Sequence, residues 1–346
     1  MLFRSDAILA FSKAISLDSG AAMPYWGIAL SAASNINSDA TNGCNRLSFA
    51  ASQIALANAR VRLEDGAARA RFGIDQLERE VGYAEAFASQ YERVGEKVVV
   101  TDVTHRRYIE SLKTLSERYV QDLDAAALYA NALLNVTPWQ WWSGTASTGN
   151  EVKTTPEAEK ALQVLNRILM QDRRHSGANH FYIHAIEESP FSDNGLAVAE
   201  LLPKLAPTAG HFVHMASHIY QRIGDNAAAS AANYAAVAVD RASIERSKKN
   251  SLYPLHYLGH NIHFLAWTLS IEGRREESLN MAEELVRNTR AFATDDYLCQ
   301  QFPEEIVVKS DYFFAVPFYF GVRFEAWDYI ERMAGEVNAA NEAINQ

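Results

Sequence analysis

Apolar residues recur along most of this chain at three- and four-residue steps, the spacing that lines one face of an α-helix. The stretch EAEKALQVLNRILMQ places Ala161, Leu162, Leu165, Ile168 and Leu169 at those steps. REESLNMAEELVRN does the same with Leu279, Ala282, Leu285 and Val286. Strand patterning is confined to EKVVVTDVT (96–104), and one strand cannot make a sheet. Breakers arrive often, at NSDATNGCN (37–45), SGTASTGN (143–150), ESPFSDNG (188–195) and APTAG (206–210). The pattern therefore predicts an all-α chain of roughly a dozen helices of ten to twenty residues joined by short loops. Its longest irregular segment is expected at about 137–154.

The helices also repeat. YQRIGDNAAASAANYAAVAVD gives Tyr220, Gly224-Asp225, Ala229, Ala236 and Asp240. LSIEGRREESLNMAEELV gives Gly273, Ser278, Ala282 and Leu285 at matching steps, and DAILAFSKAISLD gives Ala7, Phe11, Ala14 and Asp18. Small residues let two helix backbones approach, and a glycine permits the tight turn between them. In this the chain resembles the tetratricopeptide repeat, in a histidine-rich form of bacterial type. The resemblance is good at 1–35 and 176–290 and looser at 60–135. It implies a right-handed α-solenoid of antiparallel helix pairs, with the whole of 1–346 as one domain. Within it the organisation expected is looser repeats over 1–136, a linker at about 137–154, histidine-rich repeats over 155–290 and C-terminal helices over 291–346. The resemblance further implies that the first helix of each pair lines a concave groove where ligands bind.

Histidine placement then changes the picture. The chain has ten histidines, and eight fall in three short windows: His180 and His184; His211, His214 and His218; His256, His260 and His263. Helical spacing puts each group on one helix face. His211, His214 and Gly224 precede His260, His263 and Gly273 by the same 49 positions, so two histidine positions recur in successive units. An offset this long requires an extended second helix in the middle unit, through RASIERSKKN (241–250). The three windows are thus first helices of three consecutive units, and the expectation is that all eight imidazoles face one cavity.

Imidazole is a common ligand for zinc, copper and iron at neutral pH. The eight histidines are accordingly the candidate metal ligands, with most weight on His214, His218, His260 and His263. A suspected transition metal, copper, zinc or iron, would make this a metal-binding protein, with Glu187 the candidate catalytic base of a metal-dependent enzyme. The other reading is a scaffold that binds a protein or peptide segment, or a small molecule, in its groove without catalysis. A lone histidine is ordinarily a packing residue; eight in register point to a ligand, because many buried imidazoles leave many donors and acceptors to satisfy. A second cluster, TPWQWW, sets Trp139, Trp141 and Trp142 either to cap a core end or to wall the groove.

The remaining chemistry is mostly exclusion. HExxH, GxSxG, a phosphate-binding glycine loop and paired CxxC are all missing from the sequence. A net charge of −10 argues against a nucleic-acid partner, and no apolar run reaches the roughly 18 residues of a membrane span. Cys44 and Cys299 match no thiolate metal spacing. Residues 6–18 resemble the second helix of a pair whose first is missing, so the N-terminal helix is expected to be covered, by upstream sequence or by a homo-oligomer partner. The chain is expected to be soluble, and cytoplasmic, or periplasmic where an upstream signal has been lost.

Overall fold

The structure is a computed structural model that describes residues 4–33, 42–144, 152–247, 253–295 and 303–344. Residues 37–41 and 145–150 of the expected breakers, 248–250 of RASIERSKKN, and Cys299 lie outside the described residues. Among the described residues the chain is all-α apart from two minimal hairpins. It gathers into two compact units, Met1–Pro190 and Phe191–Gln346, and the boundary falls inside the histidine-rich block.

The first unit contains α1 (Arg4–Leu17), α2 (Ala22–Ala32), α3 (Asn42–Glu64), α4 (Gly66–Phe72), α5 (Ile74–Ser89), α6 (Asp102–Arg118), α7 (Leu123–Leu134), α8 (Pro156–Gln171) and α9 (Ser176–Glu187). Successive long helices pack on one another. The stripe expected in α8 does what its spacing predicts. Ala161, Leu165 and Ile168 are fully buried, Pro156 opens the helix, and Thr155 accepts from Ala158 N. At the N-terminus Phe11 of α1 lies over Gly27 of α2, where a Cβ would come within 2.4 Å of its ring. The α1 face carrying Ile8, Phe11 and Ile15 is thereby partly buried against the unit's core.

Two sequence expectations need amendment here. EKVVVTDVT is not one isolated strand. Glu92–Val94 (β1) pairs antiparallel with Lys97–Val99 (β2) about Gly95, and α6 begins at Asp102 behind a Thr101–Thr104 capping box. The segment 137–154 is not wholly irregular either, since Trp142–Ser143 (β3) pairs with Lys153–Thr154 (β4). Trp141 is fully buried and donates its indole N–H to Leu134 O at 2.9 Å, capping the core end.

The second unit contains α10 (Leu196–Leu205), α11 (Gly210–Arg222), α12 (Asn226–Ser247), α13 (Gly259–Ile271), α14 (Arg275–Ala293), α15 (Pro303–Arg323) and α16 (Trp327–Ile344), again packed in sequence. Gly224 and Gly273 both have positive φ, at 84° and 74°, so the two matched glycines make the same left-handed turn between paired helices. Beyond the first turn, Ala229 and Ala236 are fully buried; beyond the second, Ser278, Ala282 and Leu285 are. A π-helical turn, Pro254–Leu258, leads into α13. Among the described residues no helix is long and apolar enough to cross a membrane.

Candidate metal centre

Helix α11 carries His211, His214 and His218, all buried, and α13 carries His260 in its first turn. His214 and His218 are one helical turn apart, and α13 packs against α11. The result is a convergence of three ring nitrogens. His214 Nε2 lies 2.9 Å from His218 Nε2 and 3.0 Å from His260 Nε2, and all three ligand atoms fall within 4.8 Å of one another. Tetrahedral coordination at 2.0–2.1 Å sets ligand nitrogens about 3.4 Å apart, so the set is close to the size of a three-imidazole metal site.

The protonation of His214 follows from its other nitrogen. Nδ1 is 2.7 Å from Asn233 Oδ1 on α12, and Ser217 Oγ is 3.3 Å away. Asn233 Oδ1 accepts, so Nδ1 carries the proton and Nε2 presents its single lone pair. That one lone pair faces two other imidazole nitrogens. One N–H can bond along it at good geometry, and a shared cation would engage all three nitrogens at once.

Electrostatics keep His260 neutral. The acidity of His260 is shifted so that its pKa lies well below the usual range, first by burial, then by His214 and His218, then by His263 and Lys309. Neutral imidazole is the form that ligates. Phe264 packs on all three rings, with centroids 4.8 Å from His214, 4.9 Å from His218 and 4.6 Å from His260. It keeps water off that side.

His211 stacks beside His214 with centroids 5.9 Å apart and meets Tyr257 edge-on at 5.2 Å. His263 faces Tyr312 and Phe313 on α15, and burial together with Lys309 lowers its pKa to about 4. His263 is therefore placed apart from the three-nitrogen group. His256 lies in the π turn rather than on α13. In the first unit His180 and His184 meet edge-to-face at 4.8 Å on α9. His184 Nδ1 is bonded to Glu187 Oε1 at 2.8 Å, and Trp139, with φ of 62°, lies 5.1 Å from the His184 ring. Glu187 is thus an orienting partner of His184. His105 bonds Ala132 O, and His175 caps α9.

Sequence reasoning missed Asn233 and Phe264. Asn233 belongs to a second helix, AANYAA, where nothing in the pattern separates it from any helical asparagine. Phe264 follows His263 and reads as an ordinary core aromatic. It also missed the strut behind the site. Buried Asp240 of α12 accepts from Tyr253 Oη at 2.5 Å and from Asn261 Nδ2 at 2.7 Å, tying α12 to the π turn and to the residue after His260. Gly210 leaves room for it, since a Cβ there would stand 1.7 Å from Asp240 Oδ1.

No protein-family model matches the chain, and no curated protein matches it. Among solved structures it is similar to MamA 41-end from Desulfovibrio magneticus RS-1, with 12% identity over 54% of this chain and 87% of that one and a TM-score of 0.41. It is also similar to the P58(IPK) TPR domain, with 12% identity over 99% and 92% of the two chains and a TM-score of 0.23. Yeast Tom70 gives 10% identity over 97% and 84%, with a TM-score of 0.21. Likeness at this level transfers no function.

Proposed function

We propose that the second unit binds a divalent transition metal through His214, His218 and His260. One observation carries this reading. The single lone pair of His214 Nε2 lies 2.9 and 3.0 Å from two further imidazole nitrogens, a convergence that a shared cation would satisfy.

The donor set fits the group. Three neutral nitrogens with no thiolate are the ligands of zinc, or of copper or iron, and three protein ligands leave one coordination position for water. A metal bound here would supply Lewis acidity, and would lower the pKa of that water. The chain's own residues do the positioning. Asn233 holds the proton on His214 Nδ1 and turns Nε2 inward. The Asp240–Tyr253–Asn261 strut fixes the start of α13, and with it His260. Phe264, packed on all three rings, shields them on one side.

The test is metal content of protein purified without a histidine tag, after stripping and exposure to zinc. About one ion per chain is expected, lost in the double variant His214→Ala/His218→Ala while helical circular dichroism is retained. If the untagged chain retains no metal, the groove reverts to the peptide-binding scaffold.

A further inference from the structure

We propose a second ligand site, in the first unit, for a small organic cation that carries a primary ammonium group, an apolar body and a carbonyl oxygen. Helices α2, α5, α7 and α9 enclose a cavity of about 550 Å³, the size of a site for a small molecule. Its wall is apolar and aromatic, with Met23, Leu30, Leu128 and Phe181 beside Trp26 and Tyr83.

Charge sets the sign of the ligand. One guanidinium, Arg79, lines the cavity against three carboxylates, Glu80, Asp122 and Asp124. Asp122 is already committed. It accepts from Tyr83 Oη at 2.8 Å and from Ala125 N at 3.1 Å, and Arg79 Nη1 stands 3.5 Å from it. Arg79 is therefore spent on Asp122, and Glu80 and Asp124 remain as two anions at an aromatic-walled opening. His175 does not neutralise Asp124. Its Nδ1 accepts from Ala178 N, which places the ring proton on Nε2, 3.2 Å from Asp124 Oδ1. Asp124 stays an anion, its carboxyl held below the usual carboxylate range by the adjacent His175. An ammonium group over aromatic faces, beside carboxylates, is the complement of this lining.

The third requirement comes from Trp26. Its ring is fixed edge-on to Tyr83 and Phe87, at 5.3 and 6.2 Å, so the indole cannot swing away. Its Nε1–H is buried and has no hydrogen-bond partner. A buried indole N–H ordinarily has one, and leaving it unmade costs about 1–3 kcal/mol. A ligand carbonyl would supply the acceptor.

Calorimetry on the full chain tests the assignment with phenylalanine amide, which has ammonium, ring and carbonyl together. Saturable binding of one molecule per chain is expected. N-acetylphenylalanine, with the opposite charge, should bind at least about 10-fold more weakly. Glu80→Gln/Asp124→Asn should weaken the amide by about 10-fold, with unchanged circular dichroism. Phenethylamine, which lacks the carbonyl, should bind more weakly than the amide in the wild type and equally well in Trp26→Phe. No saturable binding of the amide, equal binding of the anion, or an amide preference that survives Trp26→Phe would each overturn the proposal. So would tighter binding of the tripeptide amide Phe-Ala-Ala, since the site would then take a chain terminus rather than a free small molecule.

Discussion

Asn233 Oδ1 on α12 lies 2.7 Å from Nδ1 of His214 on α11, so a second-helix side chain decides which nitrogen of a first-helix histidine faces the cluster. Partners of this kind are typically worth about 10- to 100-fold in metal affinity. Asn233→Ala should weaken zinc binding by that order, measured by competition with a chromophoric chelator. Asn233→Asp, which keeps the acceptor, should bind at least as well as wild type. Equal loss in both variants would mean that Asn233 serves packing alone.

Lys309 of α15 is the cation that acts on His260 and His263, lowering both. The same charge opposes a metal ion. Lys309→Gln should tighten zinc binding by about 2- to 5-fold at low ionic strength, with the gain shrinking as salt rises. An unchanged affinity across salt would place Lys309 outside the field of the site.

Asp240 gives a pH dependence with a definite sign. Burial raises its pKa from 3.8 to about 6 in the folded chain, against the opposing hydrogen bonds from Tyr253 and Asn261. The folded state then holds a proton that the unfolded state releases between pH 4 and 6. The stabilisation is full below the unfolded value and is lost as pH rises through about 6. Its size is roughly 3 kcal/mol at most. Chemical denaturation of the metal-free chain from pH 4 to 7 should show this decline, and Asp240→Asn should flatten it.

Gly210 tests the contact beneath the same strut. A methyl group there would meet Asp240 Oδ1 at 1.7 Å and Cγ at 2.4 Å, at the entry to the helix that bears His211, His214 and His218. Gly210→Ala should therefore destabilise the chain by about 1–3 kcal/mol in urea unfolding, despite alanine's better helix propensity. A neutral or stabilising effect would show that α12 can move away freely.

Much of the fold is legible because it is periodic. The stripes in α8 and α14 and the matched Gly224 and Gly273 turns are local signals, and each is realised where it is written. The site is legible only in part. Repeat equivalence pairs His214 with His263, 49 positions on, yet the residue that meets His214 is His260, 46 positions on. Neighbouring helices in such a stack touch through offset turns, so equivalent positions need not share a ligand. The π turn over Pro254–Leu258 also takes in His256, so that residue precedes α13 instead of lying on its face. Asn233 and Tyr253 act only across helices, and contacts of that kind leave no periodic trace.

The measurement closest to the central claim is the X-ray absorption spectrum of the zinc-loaded, untagged chain. It should show a four-coordinate ion with three imidazole nitrogens at about 2.0–2.1 Å and one oxygen ligand. His260→Ala should lower the imidazole count to two. A spectrum with no imidazole scattering, or one unchanged by His260→Ala, would contradict the site built from His214, His218 and His260.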